Sequence, residues 1–375
     1  MTKKKIAILT QPLHDNYGGL LQAYALSTVL KKYGDVTIAN RWGGHNNALL
    51  RLASKIKQQL VGSKQKLSFQ QKEVVSQHTL AFREKYIPNL SEKLSTQSQM
   101  ENFAKQGFNT YVVGSDQCWR PRYSPCIENY FLDFVPENKS ITRISYAASF
   151  GTSDWEFNEK QTEKCKKLIQ KFKAVSVRED SGINLCDKYL NKKAVHLVDP
   201  TMLLDIKDYN AITKAEEQAS SKGDLKVYIL DKTDEKQKTI DLVASQKGLT
   251  AFEVMPKKRI GQDEIDKIEN FVYPSPAAWL QGYQDAKFVI ADSFHGTVFS
   301  ILYNIPFIAI GNKSRGMARF ESLLKMFNLQ NRLLTDFTQE KAQEILDKEI
   351  DWERVNKVLE NERVKALEFL NSNLK

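Results

Sequence analysis

Apolar residues along this chain gather in short runs that stop abruptly at polar or small residues. In the first half the runs are Lys5–Leu9, Val36–Ala39, Thr110–Val113, Ile144–Ala147, Ala174–Val177 and Val195–Val198. Their length and β-branched content predict buried parallel strands. Between them, apolar positions at helical spacing predict helices over Leu20–Lys32, Glu159–Phe172 and Asp180–Tyr189. Beyond Asp199-Pro200-Thr201 and a polar stretch, Lys207–Gly223, the alternation restarts. Strands are expected at Leu225–Leu230, Thr250–Val254, Phe288–Ala291 and Pro306–Ile310. Helices are expected at Asp234–Gln246, Pro276–Tyr283 and Thr297–Tyr303, and Met317–Leu374 reads as successive helices. Two consecutive βαβ systems predict an α/β protein of two Rossmann-like, doubly wound domains, residues 1–204 and 205–375, facing a central cleft.

This is the layout of GT-B-type enzymes. One stretch breaks it: residues 47–61 carry Leu49, Leu52, Ile56 and Leu60 at helical spacing, with Arg51, Lys55 and Lys57 between them. Arg51 to Lys72 holds six basic residues and no acid. A basic amphipathic helix can lie on the inner face of a membrane, but a surface helix with a solvated basic face is the favoured reading. The 375 residues are enough for two cores, and 41% hydrophobic with 27% charged residues is an ordinary globular balance. No segment approaches the ~20 apolar residues of a membrane span. The opening Met1–Thr10 is too short in apolar residues for a secretion signal, so a cytoplasmic protein is expected. Cys118, Cys126, Cys165 and Cys186 show no metal-ligand or disulfide-framework spacing, so no metal is expected. The net charge of +10 suits anionic partners. Nucleic acid has no support, because no recognition signature accompanies the charge.

Candidate chemistry sits where strands give way to helices, the usual ligand side of an open α/β sheet. In Phe288–Leu302 a buried run ends in Asp292, Ser293 and His295, followed by Gly296 and Thr297. A titratable imidazole beside a hydroxyl and a carboxylate, at a helix N-terminus, suits work on an anionic substrate. Lys313, Arg315 and Arg319 follow the next strand and offer further cations. After the first strand, His14, Asn16, Tyr17, Gly18, Gly19 and Gln22 form a polar glycine turn that is not GxGxxG, so a dinucleotide cofactor is not indicated. After the Thr110–Val113 strand come Ser115, Asp116, Gln117 and Trp119, whose indole could face a sugar ring or fill the core. Arg178 closes another strand and could clamp a carboxylate or phosphate. For Asp199-Pro200-Thr201 a domain-hinge turn is at least as good a reading as a functional one.

The ordered set Asn16-Tyr-Gly-Gly, Leu21–Leu26, Gly114-Ser-Asp-Gln with Trp119, Ser176–Asp180, Asp199-Pro-Thr201 and Asp292–Thr297 resembles the polysaccharide pyruvyl transferase family of bacterial surface-glycan enzymes. The resemblance runs from about residue 5 to 325. It implies a GT-B-like fold, phosphoenolpyruvate as donor co-substrate with no further cofactor, and a glycan or lipid-linked sugar as acceptor. The product implied is a cyclic pyruvate ketal on two sugar hydroxyls, with phosphate released. It also implies roles in donor binding and catalysis for Arg178 and His295. Many members carry an arginine two residues before that histidine, where this chain has Ser293; Lys313, Arg315 or Arg319 would then replace the missing cation.

The expected machinery is therefore His295 and Asp116 for proton transfer, with Arg178 on the developing charge. The donor would meet Arg178, Ser293, His295, Gly296, Thr297, Lys313 and Arg315. The acceptor would meet His14, Asn16, Tyr17, Gly18, Gln22 and Trp119, from the first domain. His14 is a second candidate for the acid–base role. Two alternatives remain at this stage: a GT-B glycosyltransferase using a nucleotide sugar, and a non-catalytic protein that binds anionic glycans.

Overall fold

The computed structural model describes residues 4–43, 67–260, 265, 267–311 and 316–375. The amphipathic stretch 47–61 and the cations Lys313 and Arg315 lie outside the described residues.

Two parallel sheets carry the fold. The first comprises β1 (Lys5–Leu9), β2 (Asp35–Arg41), β3 (Leu90–Leu94), β4 (Thr110–Val113) and β5 (Thr142–Ser145), in the order β3-β2-β1-β4-β5. A short parallel pair, β6 (Ser176–Val177) and β7 (Val195–His196), continues it through bridges at Ile144–Ala174 and Ala148–Val177. The second sheet comprises β8 (Leu225–Tyr228), β9 (Ala251–Glu253), β10 (Phe288–Ala291), β11 (Phe307–Ile310) and β12 (Leu333–Leu334), in the order β12-β11-β10-β8-β9. In each sheet the chain starts centrally and winds outward in both directions. That leaves one switch point between β1 and β4 and another between β8 and β10. Ligands of doubly wound sheets bind outside the carboxyl ends of the strands at such points.

The central strands form where the sequence places them because both of their faces are covered: β4, β8, β10 and β11 are buried at every residue. Glycine lets α1 (Tyr17–Leu30) begin tightly after β1, with the side chain of Asn16 capping the amide of Gly19 at 3.1 Å. The segment after β2 holds α2 (Phe69–Val75), α3 (Gln77–Tyr86) and α4 (Gln97–Ala104) around the edge strand β3. The first lobe then adds α5 (Glu159–Ile169) and α6 (Ser181–Leu190). The second contains α7 (Ile206–Ala215), α8 (Asp234–Lys247), α9 (Pro276–Asp285), α10 (Phe294–Leu302), α11 (Ala318–Met326) and α12 (Gln339–Leu346).

The final helix, α13 (Trp352–Leu374), returns to the first lobe. Tyr33 donates to Asn371 Oδ1 at 2.7 Å, and Lys173 bonds the carbonyl of Asn373 at 3.1 Å. One apolar cluster runs through both lobes, from Ile6 and Leu26 to Trp279, Phe299 and Leu370. At its centre the ring of Tyr17, from α1, stacks on Trp279, from α9, with centroids 5.6 Å apart. The two lobes are thus joined by buried apolar surface, the dominant favourable term in association.

Candidate functional site

Both switch points open into one cavity of about 630 Å³. The first lobe lines it with Gln11–Tyr17 after β1 and with Asp116 and Gln117 after β4. The second lobe lines it with Tyr228 and Leu230 at the end of β8, Asp292–His295 after β10, and Arg319 from α11. The segment between β9 and α9 closes one wall, with Met255, Lys258, Arg259 and Tyr273.

The helix after β10 starts at Phe294, three residues earlier than expected, so His295 sits in its first turn rather than in a turn before it. Ser293 takes the N-cap position but makes no side-chain cap bond, which leaves its hydroxyl at the cavity wall. The imidazole of His295 packs on the backbone of Gly18: a Cβ there would lie 2.0 Å from Nδ1. Nε2 is buried, lacks a hydrogen-bond partner among the described residues, and lies 3.5 Å from Oδ2 of Asp199.

Asp199 is the hub of the site. The same Oδ2 accepts from Arg178 Nη1 at 2.8 Å and from Ser115 Oγ at 2.9 Å, while Oδ1 accepts from the amide and hydroxyl of Thr201 at 3.0 and 2.8 Å. Burial acts to raise its pKa, but His295 and Arg178 hold it well below the usual carboxylate range. The turn read as a hinge therefore supplies the carboxylate beside His295. The nearer acid in sequence, Asp292, is engaged elsewhere. It accepts from the amides of Leu230 and Asp231 at 2.7 and 3.1 Å and from Lys236 Nζ at 2.7 Å, which ties the β8–α8 loop to the end of β10.

Arg178 comes to this cluster but does not reach the cavity surface. Its side chain is 1% exposed. Besides Asp199 it faces Glu179 Oε1 at 3.6 Å and Asp116 Oδ1 at 3.7 Å, and its guanidinium lies 4.3 Å from the centroid of the Phe294 ring. Burial opposes its charge and the three carboxylates restore it, so its pKa ends above the ordinary value. A direct clamp on a ligand, as expected from its strand-end position, does not fit a guanidinium already surrounded by acids. Arg319 does line the cavity, as Arg259 does, and its guanidinium lies 5.8 Å from the centroid of the same phenyl ring. Burial, and then the charge of Arg178, lower its pKa to about 10. Gly316, at φ +106°, lets the chain before α11 press against the first lobe, since a Cβ there would meet the carbonyl of Gly151 at 2.0 Å.

Asp116 lines the cavity from a left-handed backbone, φ +69°. A non-glycine residue held there costs about 1–3 kcal/mol, and such strain gathers at functional sites. Of the other expected residues, His14, Asn16 and Tyr17 line the cavity; the Tyr17 hydroxyl donates to Pro274 O at 2.9 Å, across the lobes.

Four expectations are corrected. Gln22 is fully buried and bonds Thr10 Oγ1 and Gly19 O at 2.9 and 3.0 Å, stitching α1 to the end of β1. Trp119 is fully buried, stacks on Phe131 at 5.1 Å and donates to Tyr130 O; Tyr123, 41% exposed, is the aromatic that this segment gives to the cavity. Gly296 packs against Ala291 and Tyr228, and Thr297 turns its hydroxyl back to Ser293 O, so both serve helix packing rather than a ligand. Asp199 and Arg319 are the residues that sequence reasoning undervalued. Their signal was position alone: each follows a strand that ends at the cleft.

The polysaccharide pyruvyl transferase family model matches residues 16–314. The chain belongs to that family. Among solved structures, the UDP-GlcNAc 2-epimerase of Methanocaldococcus jannaschii superposes with a TM-score of 0.56 at 11% identity, over 98% of this chain and 99% of that one. Arabidopsis thaliana UGT89C1, complexed with UDP-L-rhamnose, gives 0.52 at 10% identity over all of both chains. The Neisseria meningitidis UDP-GlcNAc 2-epimerase bound to UDP-GlcNAc gives 0.51 at 10% identity, over 99% and 100%. These likenesses are to the GT-B fold, which this pyruvyl transferase family member shares. No curated protein sequence matches the chain. As a family member it is a transferase. Among the described residues, no helix is long and apolar enough to cross a membrane, and no group of three His, Cys, Asp or Glu side chains could hold a metal ion.

Proposed function

We propose that this transferase moves the pyruvyl group of phosphoenolpyruvate onto two hydroxyls of a glycan sugar, forming a cyclic ketal in the cavity between the lobes. One observation carries the reading: His295 at the cavity wall, Arg178 behind it and Asp199 between them form a single ionic cluster. Arg319 brings a cation to the same wall, as a carboxylate- and phosphate-bearing donor requires. The 630 Å³ of space exceeds what a three-carbon donor fills, and the remainder admits a sugar beside it.

The reaction needs a proton placed and a proton removed. One sugar oxygen bonds to the central enol carbon, while the terminal methylene carbon takes a proton and becomes methyl. The carbon–oxygen bond to phosphate breaks, the second hydroxyl closes on the same carbon, and its proton balances the departing phosphate. Asp199 accepting Nε2–H of His295 would leave Nδ1 to carry the exchanged proton, as a carboxylate orients an imidazole in other acid–base sites. Asp116, which lines the cavity beside the same cluster, is the companion group. Arg178 acts through Asp199, as a positioning residue, and Arg319 neutralises charge on the donor.

Incubation with phosphoenolpyruvate and a panel of aryl glycosides tests this. The expected result is an acceptor heavier by one pyruvate ketal, with equimolar phosphate, and neither with His295→Ala. Nucleotide release from a sugar nucleotide, with no ketal formed, would replace this reading with glycosyl transfer.

A further inference from the structure

Phe294, the first residue of α10, stands immediately before His295 and belongs to the cavity wall, although it is buried. Its ring meets the His295 imidazole nearly edge-on, with centroids 5.2 Å apart. The guanidinium of Arg178, from the first lobe, lies 4.3 Å from the centroid of that ring, and the guanidinium of Arg319, from the second, lies 5.8 Å from it. Both distances fall within the ~6 Å over which the face of an aromatic ring attracts a cation, an attraction that grows where water is excluded. Both arginines are buried. One phenyl ring thus adjoins two buried like charges and the imidazole. The two cations are held differently. Arg178 has a short bond to Asp199 and faces Asp116 and Glu179. Arg319 donates Nε to Gly316 O at 3.4 Å, a long contact, and the charges of Asp116 and Glu179 act on it too.

We propose that Phe294 is a positioning residue: its ring holds Arg319 in the cavity wall, available to the anionic groups of the donor, and keeps it from the acids that enclose Arg178. The inference rests on the reading of Arg319 as the cation that meets the donor. The chemistry favours a ring over another carboxylate at this place. A guanidinium paired with a carboxylate has its planar fork of N–H donors engaged, whereas one held by a π face keeps those donors for a ligand. A ring also adds no negative charge beside an anionic substrate. Phe294 sits in the apolar cluster that joins the lobes, where an aliphatic side chain would also fill space. What leucine could not supply is attraction for the neighbouring guanidinium.

Replacing Phe294 in the full chain by mono-, di- and trifluorinated phenylalanine tests this, because fluorine withdraws electron density from the ring face and leaves its shape nearly unchanged. The donor KM is expected to rise with each fluorine and to reach about tenfold above wild type in Phe294→Leu, while kcat changes by less than about threefold. In an Arg319→Gln background the same series should be flat, since the interaction it reads is gone. A role in packing alone would leave KM constant across the fluorinated series. Such constancy, or a series equally steep without Arg319, overturns the proposal and leaves the donor reading standing. So does a fall in kcat at constant KM, which would place the effect of the ring on Arg178 and His295. Calorimetric titration with inorganic phosphate through the same series gives a readout independent of turnover. If phosphoenolpyruvate does not bind but phosphate affinity falls with fluorination only when Arg319 is present, the donor reading fails and the role of Phe294 stands. If neither anion binds, both fail.

Discussion

At the residue scale, the site turns on what touches His295. Asp199→Asn keeps the shape but removes the charge shared by Arg178 and His295. Breaking a buried ion pair from one side costs about 3–5 kcal/mol, and losing an oriented acid–base group costs roughly 100-fold or more in rate. The variant is expected to melt earlier and to lose kcat by that factor, with a smaller effect on the donor KM because Asp199 is behind the cavity wall. Near-wild-type turnover would show that His295 works without it. Gly18 and Gly19 offer a sharper comparison. A methyl on Gly18 would fall 2.0 Å from His295 Nδ1, whereas at Gly19 the nearest atoms are 3.4 Å away. Gly18→Ala is therefore expected to displace the imidazole and abolish turnover. Gly19→Ala should keep it and gain about 0.4–1 kcal/mol of stability from reduced chain entropy. Equal activities in the two variants would remove Gly18 from the account.

At the element scale, β8 contains a lysine where its burial calls for an apolar residue. Lys226 is fully buried; its Nζ bonds Trp279 O at 3.1 Å and lies 4.6 Å from the Tyr283 ring centroid. Burial lowers its pKa from 10.5 to about 7. Between those values the unfolded chain holds a proton that the folded chain does not, so stability rises with pH from about 7 to 10.5 and levels off above. Below about 7 the folded protein carries the buried cation at its full cost. Lys226→Met should flatten this slope and stabilise the protein at pH 7 by on the order of 1–4 kcal/mol, measured by denaturant melts across the range. An unchanged slope would mean that the proton is held elsewhere. The same element logic explains what the sequence disclosed. β4, β10 and β11 were legible because both faces are buried and their residues are nearly all apolar. β3, Leu-Ser-Glu-Lys-Leu, is an edge strand with two exposed residues at its middle, so no apolar run marks it. Trp119 and Tyr123 could not be ranked, because an aromatic side chain reads alike in a core or at a cleft. Asp199 was read as a turn because its partners, Ser115, Arg178 and His295, come from strand ends far apart in sequence. Cations at strand ends were visible, but their neutralisation was not: only the fold brings Asp116, Glu179 and Asp199 around Arg178 and leaves Arg319 at the cavity.

At the scale of the whole molecule, the last helix is bonded to the turn that follows Asp199 at the cavity edge of the first lobe. Arg363, on α13, donates to the carbonyls of Met202 and Leu204, each at 2.6 Å. Those carbonyls end the short 3₁₀ turn Pro200–Leu203, whose first amides are held by Asp199. A residue of the last helix is thus bonded to the turn whose Thr201 holds Oδ1 of Asp199, the carboxylate that faces His295 through Oδ2. Hydrogen bonds to charged groups contribute about 1.5–3 kcal/mol, and Arg363 makes two to neighbouring carbonyls. Arg363→Gln is expected to lower Tm by several degrees. If the turn transmits the change, kcat should fall with it, while donor affinity, which the proposed function assigns to Arg319 on the other lobe, should hold. Arg363→Lys can restore the charge but not the two-pronged contact, so it should recover stability better than kcat. A variant that loses stability alone, with kcat intact, would show that Asp199 is held by Thr201 and Arg178 without help from α13. A parallel loss of kcat and stability that Arg363→Lys repairs equally would reduce the helix to a structural strap.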